Sequence, residues 1–335
     1  LKERNLMLKV GILGTGTMAK THASAYQSIE GVQVAAFADA LPGSLDAVCK
    51  QYNAKAYKNY DELINDASLD IIDVCLPTPL HKENTIKALA TGKHVFCEKP
   101  VARTLADAME VKKAVEQAKG KFMVGHVVRF FPEFMLLKQM IDEGKLGTVG
   151  TARTSRIAPQ PHGVKDWYEN STMSGGVILD LIIHDFDYLN WFFGKPKRVY
   201  AQGLFKRTDL EMDYALVVIR YESGVIAHVE GSWAEPSGFN VRAEICGSKG
   251  IIDVEPYKEA PVSINLRNAD TTQAGVIVPE SPMDESPYTT EIKHFIDCIL
   301  NDKTPRVTID DAIYAVKIGL AALESIETGM PVNID

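Results

Sequence analysis

Residues 9–19 read KVGILGTGTMA, a short apolar run followed by Gly14-Thr15-Gly16-Thr17-Met18-Ala19 and then by a helical pattern from Thr17 to Ser28. A G-x-G-x-x-A spacing between a strand and a helix suits a dinucleotide pyrophosphate. Gly14 permits the tight turn after the strand, Gly16 lets the backbone approach a phosphate, and Ala19 lets the helix lie close to the strand. The first helical residues, Thr17 and Met18, present amide N–H groups and the positive end of the helix to the phosphate charge. About twenty residues further on, Asp39 closes the apolar run at 32–39 (VQVAAFAD), the spacing the fingerprint requires. A carboxylate there accepts hydrogen bonds from ribose hydroxyls and repels a 2′-phosphate, and Ala40-Leu41-Pro42-Gly43 offers no arginine to neutralise one. NAD is therefore expected over NADP, the other use of an acid at this point being to cap the next helix.

Working outward, Ile71–Leu76, His94–Cys97 and Phe122–Val124 read as further buried strands. Helical stretches at Leu45–Tyr52, Lys82–Thr91 and Leu105–Lys119 alternate with them. Strands apolar on both faces, separated by helices, predict a parallel sheet covered on both sides. The fold class expected is α/β: an N-terminal doubly wound Rossmann domain over residues 1–127, then an α+β domain over residues 128–335. The second domain should hold a large, mostly antiparallel sheet. Its strands are expected at 149–157, 198–206, 214–221, 225–233, 241–246, 251–254 and 262–266, with hairpin signals at Glu222-Ser223-Gly224 and at Gly247-Ser248-Lys249-Gly250. Two helices follow, at about 289–300 and 310–328, and the last is expected to pack back on the first domain. No flexible linker separates the halves near 126–132, which places the expected site in a cleft between them.

Composition narrows the partners. Of 335 residues, 46% are hydrophobic and 24% charged, with a formal net charge of −8. That is a globular mix whose acidic excess disfavours nucleic acid and anionic membrane surfaces. No apolar run is long enough for a transmembrane helix, and the N-terminus lacks a secretory h-region, Met7 being a natural start. Five scattered cysteines without a CxxC pair argue against a disulfide framework or zinc knuckle, and a reducing cytoplasm is expected.

At residues 94–100, HVFCEKP, the chain resembles the Gfo/Idh/MocA family of oxidoreductases, the family of glucose–fructose oxidoreductase and inositol 2-dehydrogenase. Three further segments resemble it in order: LPTPLH at 76–81, GHVVRFFP at 125–132, and SGGVILDLIIHDFDYLNWFFG at 174–194. The resemblance implies that Pro77, Thr78 and His81 lie beside the nicotinamide, and that Glu98 and Lys99 belong to the cofactor site. It further implies that Lys99 hydrogen-bonds the reacting hydroxyl, that His184 is the general base, and that Asp180 binds substrate. Homodimers or homotetramers built on the C-terminal sheet are a property of the family. The HDFD tetrapeptide at 184–187 is similar to inositol dehydrogenases. GHVVRFFP is instead similar to members acting on other sugars, since Val128 stands before Arg129 where inositol dehydrogenases commonly carry a second arginine.

The residues suit that chemistry on their own terms. Oxidising a secondary alcohol needs a base for the hydroxyl proton and a cation or donor for the developing oxyanion. Lys99 is expected at the carboxyl end of a sheet strand, where doubly wound folds bind ligands. Asp180 and His184 are four apart in a helical run and should share one face. Asp187 falls on the same repeat, but no other ligand-spaced cluster exists and hydride transfer needs no metal, so none is expected. Arg129 and Arg156 are candidates for substrate oxygens. Trp167, beside Tyr168, either stacks on a sugar ring or plugs its own loop. The activity expected is NAD(P)-dependent oxidation of a sugar, polyol or sugar derivative in carbohydrate or inositol metabolism. The alternatives are an NAD-using glycosidase and a non-catalytic NAD/sugar sensor.

Overall fold

The computed structural model describes residues 7–40, 42–161, 167–168, 170–207, 212–234, 239–255, 262–266 and 285–334. They form two compact units, the chain up to Val127 together with Glu285–Ile313, and Val128–Asp284 together with Tyr314–Asp335.

In the first unit β1 (Leu8–Leu13), β2 (Val32–Ala38), β3 (Lys55–Tyr57), β4 (Ile71–Val74), β5 (His94–Glu98) and β6 (Phe122–Gly125) form one parallel sheet in the order β3-β2-β1-β4-β5-β6. Helices α1 (Thr17–Gln27), α2 (Pro42–Tyr52), α3 (Tyr60–Ile64), α4 (His81–Ala90) and α5 (Leu105–Gln117) make the crossovers. Every residue of β4 and β6 is buried, as is all of β1 except Lys9, so the sheet is covered on both faces as its apolar runs demand. Strand order reverses between β1 and β4, which sets the ligand crevice at their carboxyl ends. Strand β3 and helix α3 are too short to show a period and were not visible in the pattern.

The second unit contains α6 (Pro132–Asp142), β7 (Val149–Ile157), α7 (Ser171–Ser174), a π-helical turn at Val177–Leu181 and α8 (Ile183–Phe193). Strands β8 (Pro196–Arg207), β9 (Met212–Tyr221), β10 (Ile226–Ser232), β11 (Asn240–Gly247), β12 (Gly250–Val254) and β13 (Val262–Leu266) follow. The eight-stranded sheet runs β13-β12-β11-β7-β10-β9-β8, with the short β14 (Val332–Asn333) added outside β8. Only β7 and β10 pair in parallel. The two hairpin signals join β9 to β10 and β11 to β12 as their glycines indicate. One sheet face is small and apolar, with Ala215, Val217, Ile219, Ala227 and Val229 all buried; the opposite face exposes Tyr200, Leu204 and Leu216.

Helices α9 (Pro287–Leu300) and α10 (Ile309–Thr328) end the chain. In the first unit α9 packs against α1, with Phe295 edge-on to Phe96 at 5.5 Å, and the first turn of α10 pairs through Asp310 with Lys112 of α5 at 2.6 Å. Most of α10 belongs to the second unit, where Ser325 Oγ accepts the Ala201 N–H at 2.9 Å.

The helical run that carries Asp180 and His184 is divided. Gly175 and Gly176 both have positive φ, the π turn follows, and the regular helix begins only at Ile183. β10 packs closely against this stretch. A Cβ on Gly231 would sit 2.5 Å from Ile182 Cγ2 and 3.2 Å from Val177 Cγ2, so sheet and π turn touch without a side chain between them. Gly231→Ala is accordingly expected to destabilise the protein by roughly 1–3 kcal/mol through overpacking, read as a lower urea midpoint at unchanged slope.

Candidate functional site

At the crevice of the first unit Gly14 has φ +99°, and a Cβ there would lie 2.3 Å from the Cys75 carbonyl oxygen, so only glycine lets β1 and β4 close up. Gly16 is the N-cap of α1, with extended backbone and no side-chain cap, and a Cβ on it would meet nothing within 4 Å. The first N–H groups of α1 thus face open space with no side chain in the way, a cradle that fits a pyrophosphate. Asp39 follows β2, and Thr15 Oγ1 donates to its Oδ2 at 2.6 Å. Thr15 Oγ1 is also 2.6 Å from Ser44 Oγ. Thr15 has one hydroxyl proton, given to the carboxylate, so Ser44 is the donor in the second bond. The relay Ser44→Thr15→Asp39 orients the acid expected to read ribose. The sequence reading missed Thr15 and Ser44, because the second position of the fingerprint tolerates any residue.

The loop after β4 and the turn after β5 are braced together. His81 is buried, with Nδ1 2.7 Å from the Pro100 carbonyl and Nε2 2.6 Å from the Leu76 carbonyl. Burial lowers its pKa, against the pull of those two carbonyls. The neutral ring donates to one of these carbonyls and lies against the other, so His81 braces the two loops. Pro77 is half-buried and Thr78 buried in the same loop. The Glu98 carboxylate turns inward, with Oε2 accepting the Lys99 backbone N–H at 3.1 Å and Oε1 3.1 Å from His22 Nε2. Lys99 itself is half-exposed at the end of β5, and the Lys99–Pro100 bond is cis.

His22 stands on α1 with its other nitrogen 2.9 Å from Asp73 Oδ2, and Cys75 Sγ lies 3.3 Å from both that nitrogen and Asp73 Oδ1. Among the described residues His22, Asp73 and Cys75 are the one group whose ligand-type atoms converge. These atoms are spent on one another as an internal hydrogen-bond cluster. The signals for it were a histidine among the buried Ala19, Ala23 and Tyr26 of α1 and an aspartate inside the apolar run IIDVCL.

In the second unit every residue from Ser174 to Leu189 is buried except Asp180 and His184. Asp180 leaves the π turn and His184 the first turn of α8, so the two polar groups emerge from an otherwise buried segment. Arg129 and Arg156 each engage an acid of α8. Arg129 is buried and bidentate to Asp187, with Nε and Nη2 each 2.7 Å from a carboxylate oxygen. Arg156 is buried and donates from Nε to Asp185, whose other oxygen takes the Tyr188 hydroxyl at 2.9 Å. Burial, then the Asp185 charge, pushes the Tyr188 pKa well up, so it remains a donor. These two acids of the HDFD tetrapeptide anchor α8 internally. Trp167 stacks on Tyr168 at 4.0 Å, and Ser174 Oγ donates to the Tyr168 carbonyl at 2.9 Å, tying the aromatic pair to α7.

The class follows from the crevice: a dinucleotide-binding oxidoreductase with a Rossmann unit and a separate α/β unit. Comparison with known proteins makes this particular. Residues 8–126 match the NAD-binding Rossmann fold of the Gfo/Idh/MocA oxidoreductase family, and residues 138–334 match that family's C-terminal α/β domain. The chain belongs to the Gfo/Idh/MocA oxidoreductase family. It is 28% identical over 340 residues to the scyllo-inositol 2-dehydrogenase (NAD(+)) of Bacillus subtilis (strain 168), across 98% of this chain and 96% of that one. It is 29% identical over 337 residues to the myo-inositol 2-dehydrogenase of Thermotoga maritima, across 98% and 99%. The scyllo-inositol dehydrogenase of Lactobacillus casei, solved with bound NAD(H) and scyllo-inositol, superposes with a TM-score of 0.83 at 26% identity, across 98% and 99%.

Removing one partner of a buried bidentate pair strands a charge. Arg129→Met should cost about 3–5 kcal/mol in urea unfolding, and the double variant Arg129→Met/Asp187→Leu should recover most of that loss.

Proposed function

We propose that this chain is an NAD-dependent dehydrogenase that oxidises a secondary hydroxyl of an inositol-like polyol or a sugar. The observation that carries the reading is the emergence of Asp180 and His184 alone from a segment otherwise buried from Ser174 to Leu189. A neutral imidazole there takes the hydroxyl proton at an unprotonated ring nitrogen near neutral pH. Asp180 accepts from a second substrate hydroxyl or orients the imidazole. Lys99 supplies the cation beside which the oxyanion develops. Bound NAD supplies the hydride acceptor at its nicotinamide. Its pyrophosphate is assigned to Gly14, Gly16, Thr17 and Met18 and its adenosine ribose to Asp39, with Pro77 and Thr78 at the nicotinamide end. The carboxylate of Asp39, oriented by Thr15, favours NAD over NADP.

The inositol dehydrogenases reported above favour a cyclic polyol, and Trp167 offers an aromatic face for its ring. NADH formation should be measured over myo-inositol, scyllo-inositol, free aldoses and nucleotide sugars, with NADP run in parallel. Turnover is expected with NAD and an inositol, falling at least 10²-fold in Lys99→Ala and His184→Ala while NAD binding persists. Unchanged turnover in both variants would sink the assignment. Silence across the panel with NAD bound would transfer the reading to an NAD-using glycosidase or a sensor.

The outer face of the eight-stranded sheet is assigned to a homo-oligomer contact. Tyr200, Leu204 and Leu216 are 38%, 47% and 40% exposed on neighbouring strands, an apolar strip that a second copy would cover. Leu204→Asp/Leu216→Asp should lower the sedimentation coefficient to that of a single chain, and an unchanged coefficient would refute the contact. All five cysteines are free, which supports a reducing cytoplasm, and no helix among the described residues is long and apolar enough to cross a membrane.

A further inference from the structure

We propose that His22 is a positioning residue for Lys99: clamped between Asp73 and Glu98, it fixes the carboxylate on which the Lys99 backbone is hung. This rests on the reading that Lys99 serves the reaction. Two geometric facts support it. The ring nitrogens lie 2.9 Å from Asp73 Oδ2 and 3.1 Å from Glu98 Oε1, on neighbouring strands β4 and β5. The second oxygen of Glu98 receives the N–H of Lys99 itself, at 3.1 Å. Nδ1 is hydrogen-bonded to Asp73, while Nε2 faces Glu98 at ion-pair distance, an arrangement in which an imidazolium is attracted to both carboxylates.

The surroundings agree. Facing His22 are Asp73 from β4, Cys75 just after it, Glu98 from β5 and Tyr26 from α1 itself, with Glu291 of α9 beyond Tyr26, Lys99 beyond Glu98, and the Phe96 ring edge-on at 5.3 Å. Burial opposes the charge on His22, but Cys75 and Asp73 outweigh it and its pKa is raised well above the ordinary imidazole value. Burial likewise opposes ionisation of Glu98, and the His22 hydrogen bond, the His22 charge and Lys99 reverse it, so that its pKa is lowered. A wholly buried ionic cluster is an expensive way to hold a sheet together, since apolar residues of similar volume do so as well or better. This one sits at the carboxyl ends of β4 and β5, the edge where the ligand crevice lies, and it ties the dinucleotide helix α1 to the turn that carries Lys99.

Two readouts separate positioning from bulk support. In His22→Asn the side chain is too short to span both carboxylates. Hydrogen exchange at the Lys99 amide should quicken about ten-fold, while the amide of Val95 in β5, bonded to the Lys121 carbonyl before β6, stays within two-fold. Equal quickening at both amides, or none at Lys99, would overturn the proposal. The second readout is kcat with NAD and myo-inositol or scyllo-inositol, in a cycle with Lys99→Ala. His22→Asn should lower kcat about ten-fold with KM and the NAD Kd within two-fold, and should add less than two-fold in the Lys99→Ala background. An equal further drop there would also overturn it. If Lys99→Ala leaves kcat intact, the assignment of Lys99 fails while the exchange result still judges the clamp. Should His22→Asn not fold, Glu98→Gln, which keeps the shape and removes the charge, is read in the same two ways.

Discussion

The dinucleotide unit depends on how closely β1 approaches β4. At Gly14 there is no room for a single methyl group, because the Cys75 carbonyl oxygen would lie 2.3 Å from it. That approach lets β1 sit between β2 and β4 and pair with both to its last residue, across a register shift against β2 at Val10/Gly11. Parallel strands end at one edge, so the phosphate turn, the acid after β2, the loop after β4 and Lys99 after β5 all arrive there from distant stretches of chain. The edge is then reinforced by hydrogen bonds that cross between loops: Thr15 to Asp39, His81 to the carbonyls of Leu76 and Pro100, and Glu98 to the Lys99 amide.

The second unit uses buried charge for a related purpose. Arg129–Asp187 and Arg156–Asp185 pin α8 from its inner side, and the Gly231 contact from β10 pins the π turn that precedes it. Buried ion pairs cost desolvation, which well-directed geometry offsets without large surplus. Their effect is on placement: with Asp185 and Asp187 held inside, Asp180 and His184 are what the segment turns toward solvent. A π turn at such a point is a frequent device at functional sites.

Legibility followed the range of the interaction. Gly14, Gly16 and Asp39 could be read directly, because the chemistry of a phosphate turn is local in sequence and leaves fixed spacings. Lys99, Asp180 and His184 stood out through the motifs around them, and the structure puts each at least partly in reach of solvent. The internal partners of Arg129, Arg156, His81 and Glu98 were not legible, since a charged or titratable side chain looks the same in sequence whether it meets solvent or a buried partner. Thr15 and His22 were overlooked for the converse reason, their partners being 24 and 51 residues away.

By itself the sequence determined the parallel doubly wound domain, the mostly antiparallel second sheet and a preference for NAD. Each rests on the period of apolar residues or on the conformational demands of a few glycines, properties that belong to short segments. Tertiary structure alone decided that α10 is divided between the two units while α9 packs on α1, and that a π turn precedes α8. It also decided which acids and bases neutralise one another internally. Those outcomes depend on which distant surfaces meet and how much volume is left between them, and no local pattern encodes that.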